Sequence, residues 1–118
     1  MRVERGDVGL VRFPHTAGAR GKKRPVVVVQ ADPNNARLRH VIVAEVTKNL
    51  AEVSDPAHLA IDITTPDGRA TGLLQDSLVS CVLLASVNAD RISPVIGKLS
   101  VALLQRLNDC LKASLDLP

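Results

Sequence analysis

Gly21-Lys22-Lys23-Arg24-Pro25-Val26-Val27-Val28-Val29-Gln30 runs a basic loop straight into four consecutive valines. β-Branched side chains are stiff at χ1 and favour an extended backbone. Apolar groups on both faces predict a strand buried on both sides, at the centre of a sheet. Pro25 fixes its own φ and biases Arg24 toward an extended conformation. A guanidinium is thereby held where a loop meets a rigid strand, a placement suited to an anion. A surface arginine that keeps the loop soluble has the same signature.

On the N-terminal side, Arg5-Gly6-Asp7 reads as a turn and Val8-Gly9-Leu10-Val11-Arg12-Phe13 as a first strand that Pro14 ends. His15 to Lys23, with two glycines and no periodicity, reads as a mobile loop. On the C-terminal side, Asp32-Pro33-Asn34-Asn35 predicts a turn or one turn of 3₁₀ helix. His40 to Thr47 predicts a third strand beside the valine strand. Leu59-Ala60-Ile61-Asp62-Ile63 alternates as a half-exposed strand does, and Pro66-Asp67-Gly68 signals a tight turn. From Gly72-Leu73-Leu74 to Leu84 the chain reads as one long strand or a strand pair. Asn88 to Arg91 suggests a helical turn, and Val95 to Leu99 a final strand. Ser100 is an N-cap, and Leu103, Leu104, Leu107, Cys110, Leu111 and Leu115 recur at helical spacing, predicting a helix over 100–115. The fold expected is mainly β (α+β), a small barrel of mostly antiparallel strands with a C-terminal helix, in a single domain over 1–118.

Composition narrows the function. Phe13 is the only aromatic residue, so no platform exists on which bases could stack. The net charge is +3, and no acidic residue lies between Gly9 and Ala31, while Arg12, Arg20, Lys22, Lys23 and Arg24 cluster there. That is the footprint of a phosphate-backbone binder or of a solvated loop. Cys81 and Cys110 form no CxxC and read as small core residues of a reducing compartment. With a charged N-terminus and no apolar run long enough to span a bilayer, a cytoplasmic location is expected.

No P-loop, dinucleotide fingerprint or metal-ligand spacing is present, and no cofactor is implied. His15, His40 and His58 are scattered; the last two precede strands and read as surface edge residues. What remains is phosphate chemistry in which RNA supplies its own nucleophile, the 2′-hydroxyl. The protein then orients groups, stabilises phosphoryl charge and moves protons. Arg24 suits the charge, and Thr47 suits a hydrogen bond to the phosphate. Antiparallel pairing of the two strands would bring them together.

The ordered set of Arg5-Gly6-Asp7, Arg24-Pro25 with its valines, Val41 to Thr47, Gly72-Leu73-Leu74-Gln75-Asp76-Ser77-Leu78-Val79, Ile96-Gly97-Lys98-Leu99-Ser100 and a closing leucine helix resembles the MazF/PemK/Kid-type toxin endoribonucleases of type II toxin–antitoxin systems. The resemblance covers nearly the whole chain. It implies an SH3-like barrel, a homodimer, and metal-independent cleavage of single-stranded RNA, mostly mRNA, to a 2′,3′-cyclic phosphate and a 5′-hydroxyl. It implies an antitoxin partner whose disordered tail covers the RNA groove. It assigns catalysis to Arg24 and Thr47. RNA contacts are expected from His15, Gly18, Arg20, Lys22 and Lys23, and from Asp76 and Ser77.

The chain departs from that family where an acidic residue commonly precedes the Arg-Pro step, since Arg20, Lys22 and Lys23 make this loop wholly basic. It also departs where an acidic residue and an arginine follow the Asp-Ser strand, since those positions are Val82 and Ala85. The general base is left open among His15, Glu45 and Asp76. Two alternatives stand beside the nuclease: a toxin of the same fold acting on a topoisomerase, and an inactive SH3-like binding module.

Overall fold

The computed structural model describes residues 2–12 and 22–118. The described residues form β1 (Asp7–Val11), β2 (Arg24–Val28), α1 (Asp32–Arg37), β3 (His40–Thr47), β4 (His58–Ile61), α2 (Pro66–Ala70), β5 (Ser77–Asn88), β6 (Val95–Lys98) and α3 (Val101–Leu115), with a 3₁₀ turn at Ala89–Arg91. The six strands make one curled sheet in the order β4-β5-β3-β2-β1-β6, and every neighbouring pair is antiparallel. The expected mainly-β architecture with a C-terminal helix is the one observed. Among the described residues the sheet is a half-barrel, with no hydrogen-bonded pairing between the edge strands β4 and β6.

The valine run accounts for this arrangement. Val27 and Val29 enter a core with Val8, Ala44, Val46, Val79 and the α3 residues Leu103, Leu107 and Cys110. Val26 and Val28 point the other way, into a second core with Val11, Val41, Val43 and Ile92. A strand with period-2 side chains that are apolar on both faces must be covered on both. Here α3 covers one face, and the chain from the end of β5 to β6 crosses the other. Each fully buried valine contributes roughly 1.5–3 kcal/mol. Gly9 permits that crossing, because a Cβ there would collide with Ile92.

The two halves of β5 divide at a register shift against β3. Ala44 pairs with Leu84 but Glu45 pairs with Ser80, so Cys81, Val82 and Leu83 are extra residues on the β5 side. Cys81 turns into the core under α3, while Val82 and Leu83 stay exposed. Burial pushes the Cys81 thiol up to about 12 and raises that of Cys110. Both cysteines are free and buried.

Three sequence expectations need correction. Asp32–Arg37 is a short α-helix, with Pro33 in its first turn. Pro66-Asp67-Gly68 opens α2: Thr65 Oγ1 accepts from the Gly68 N–H at 2.9 Å, and Pro66 stands where a helix lacks an N–H acceptor anyway. Gly72-Leu73-Leu74 is not strand. Gly72 has φ +76°, which bends the chain, and β5 begins only at Ser77. The helix expected over 100–115 is present as α3; Ser100 Oγ accepts from the Leu103 N–H at 3.2 Å.

Candidate active site

Register builds the site. In β2 and β3, Val26 faces Glu45, Val27 faces Ala44 and Val28 faces Val43. Continued by two residues, the same antiparallel register sets Arg24 opposite Thr47. On the flanks, Arg24 pairs with Val11 of β1, Thr47 with Leu78 of β5, and Leu78 with Ala60 of β4. One row therefore crosses five strands: Val11, Arg24, Thr47, Leu78, Ala60. The next row inward on the same face is Gly9, Val26, Glu45, Ser80, His58. Adjacent rows sit two residues apart, roughly 7 Å along the strands.

Arg24 is exposed, and among the described residues its guanidinium has no hydrogen-bond or ion-pair partner. Thr47 is half-buried, and its Oγ1 accepts from the Asn49 N–H at 3.1 Å. The hydroxyl proton is thus left to donate outward. Glu45 is half-buried in the neighbouring row, diagonal to Arg24. The face offers a guanidinium, a hydroxyl donor and a carboxylate at one end of the central strands. These groups can hold an anion and accept a proton beside it.

Lys22 and Lys23 are exposed next to Arg24, and Lys23 Nζ donates to the Ser93 carbonyl at 2.6 Å. His15, Gly18 and Arg20 lie outside the described residues. Asp76 and Ser77 are turned to structural work. Asp76 Oδ1 accepts from the Ile63 N–H at 3.0 Å. Ser77 is buried, and its hydroxyl donates to the Gln75 carbonyl at 2.8 Å. The Ser77 hydroxyl is therefore engaged within the chain.

His58 is not the surface residue expected. Its side chain is 8% exposed, with Nε2 2.9 Å from Ser80 Oγ, Nδ1 3.1 Å from the Glu52 carbonyl, and Asp55 Oδ2 3.7 Å away. It ties the β3–β4 connection to the sheet beside Glu45. Ser80 and His58 are cross-strand partners, a relation that no local sequence pattern reveals. Among the described residues, no three His, Cys, Asp or Glu side chains converge as metal ligands would. No described helix is long and apolar enough to cross a membrane.

Comparison with known proteins identifies the family. A family model described as "PemK-like, MazF-like toxin of type II toxin-antitoxin system" matches residues 4–115. Endoribonuclease MazF6 of Mycobacterium tuberculosis (strain ATCC 25618 / H37Rv) is 32% identical over 119 residues, covering 99% of this chain and 100% of that protein. The solved structure of Mycobacterium tuberculosis toxin MazF-mt6 shares the fold with a TM-score of 0.76 at 20% identity, covering 95% of this chain and 98% of that one. A mycobacterial endoribonuclease in complex with its cognate antitoxin superposes with a TM-score of 0.77 at 17% identity, covering 98% and 97% of the two chains. With one model spanning almost every element from the first turn to the last helix, the chain belongs to the PemK-like, MazF-like toxins of type II toxin–antitoxin systems.

Proposed function

We propose that this chain is the toxin endoribonuclease of a type II toxin–antitoxin pair, cleaving single-stranded RNA, chiefly mRNA, in the cytoplasm. The observation that carries the assignment of residues is the Arg24–Thr47 opposition at the exposed end of β2 and β3. In the reaction, the ribose 2′-oxygen bonds to the adjacent phosphorus and the P–O5′ bond breaks. A 2′,3′-cyclic phosphate and a 5′-hydroxyl result. The 2′-hydroxyl proton goes to a base, and the departing 5′-oxygen takes up a proton. Arg24 pairs with the non-bridging oxygens, where charge grows in the transition state. The Thr47 hydroxyl donates to the same phosphate. Glu45 is the base we assign among the three candidates. It shares the face and neighbours both residues, whereas Asp76 already accepts a backbone N–H. No step requires a metal.

Two further assignments belong to the same proposal. The partner is a cognate antitoxin, supported by the solved complex of the mycobacterial relative. The working form is a homodimer, supported by apolar side chains left open on and after α3, with Val101 73%, Leu115 52% and Leu117 54% exposed.

The test is cleavage of a long mRNA with EDTA present, with the ends mapped. Wild-type protein is expected to leave 5′-hydroxyl ends, and Arg24→Ala to cut about 10²–10³-fold more slowly with an unchanged melting temperature. An Arg24→Ala protein as active as wild type would remove Arg24 from the mechanism. An intact mRNA after prolonged incubation with folded wild type would redirect the chain to a non-nuclease role.

A further inference from the structure

Two open clefts meet at Asn88. One, of about 340 Å³, is lined by Val11, Arg12, His40, Ser86, Asn88 and Arg91. The other, of about 520 Å³, continues past Asn88 to Arg2, Arg39 and Asp90. Four arginines thus face a single carboxylate. All four are exposed, and neither of the two ion pairs among the described residues involves them. Asn88 Oδ1 is occupied by the Asp90 N–H at 2.9 Å, which leaves the amide NH₂ to donate outward. The trough begins beside the candidate site, because Arg12 follows Val11, the register partner of Arg24. It reaches Arg39 and His40 at the start of β3, whereas Thr47 ends that strand. Two joined clefts lined by four arginines offer more donors than a single phosphate can take up, which suits a polymer.

We propose that this arginine trough is a secondary track for the sugar–phosphate backbone of RNA flanking the cleavage site. The inference rests on the ribonuclease reading for its substrate class and extends it to nucleotides that are not cut. Arginine forks, an amide and a hydroxyl are donors matched to phosphate and ribose oxygens. Val3 and Val11 in the lining are buried and Leu38 is its one exposed large apolar side chain, so apolar anchorage for a peptide is confined to one end of the trough. The lining holds no Phe, Tyr or Trp, and contacts to phosphate and ribose carry no sequence information, so the track adds affinity without reading sequence.

The experiment compares wild type with an Arg39→Ala/Arg91→Ala double variant by fluorescence polarisation. The probes are 2′-O-methyl RNAs of mixed sequence, about seven and about twenty nucleotides long, chosen against typical single-strand site sizes. They lack the attacking hydroxyl and stay intact. Wild type is expected to bind the longer probe more tightly. The variant is expected to lose roughly tenfold on that probe, with the two lengths converging. Its slope of log affinity against log salt should flatten by about 0.7 for each phosphate that is no longer neutralised. A variant that keeps both the length advantage and the slope overturns the track, as does a wild type with no length advantage. A variant that loses affinity for an acidic antitoxin peptide but not for RNA assigns the trough to the protein partner instead. Length-dependent binding by a wild type that cuts no RNA sinks the nuclease reading while the track stands.

Discussion

Thr47 has its acceptor side engaged by the Asn49 N–H, so the hydroxyl proton is what it can offer a phosphate. Thr47→Val keeps the shape and removes that donor. Loss of one hydrogen bond to a charged group corresponds to roughly tenfold to hundredfold in single-turnover rate, and Thr47→Ser should recover most of it. A Thr47→Val protein that cleaves at the wild-type rate would exclude the hydroxyl from catalysis. Arg24 and Thr47 are legible in the chain because their juxtaposition is register arithmetic between two strands with clear ends. His58 is not. It is buried because residues 48–57 fold back and place Glu52 and Asp55 against its ring, and because Ser80 arrives from a strand far along the chain. The Ser77 hydroxyl's partner is hidden for a related reason: a serine at a strand start shows no sign of which backbone carbonyl will claim its hydroxyl.

β3 forms at the residues its pattern predicts, and α3 differs only by its cap, because eight and fifteen residues of consistent period leave little ambiguity. Short elements are different. Thr65-Pro66-Asp67-Gly68 carries a turn signal and a helix-start signal at once, and packing decides between them. In α2, Gly68 is buried so tightly that a Cβ would run into the Asp62 carbonyl and the Ile63 backbone. Gly68→Ala is therefore expected to destabilise the fold by about 1–3 kcal/mol, read as a lower denaturant midpoint with the slope unchanged. A midpoint equal to wild type would show that α2 can shift away without cost. The segment after Gly72 is ambiguous in the same way: Leu73 and Leu74 look strand-like, yet Leu73 packs on the core and Leu74 is 90% exposed.

At the scale of the molecule, Arg5 fastens distant parts of the chain. Its N–H donates to Asp32 Oδ1 at 2.7 Å, its Nε to the Val29 carbonyl at 2.9 Å, and its Nη2 to Asn108 of α3 at 2.7 Å. The Arg5 N–H, and then the Asn35 amide, hold the Asp32 carboxyl below its ordinary value of 3.8. A depressed native pKa adds stability above the unfolded value, and that stability disappears as pH falls through the native one. The stability difference between wild type and Asp32→Asn should thus be constant near neutrality and shrink below about pH 4; a gap that widens on acidification would contradict the sign. The divided strand β5 has a consequence for how the whole chain comes apart. Its first half lies under α3 with Val79 and Cys81, and its second half closes the opposite core with Ala85 and Val87. Neither core can open without pulling on a backbone that also belongs to the other, so the two should melt as one cooperative unit. In native-state hydrogen exchange, paired amides of β3 and of both halves of β5 are expected to share one opening free energy. Two separate values on either side of Cys81 would show that the register shift acts as a hinge between independently unfolding layers.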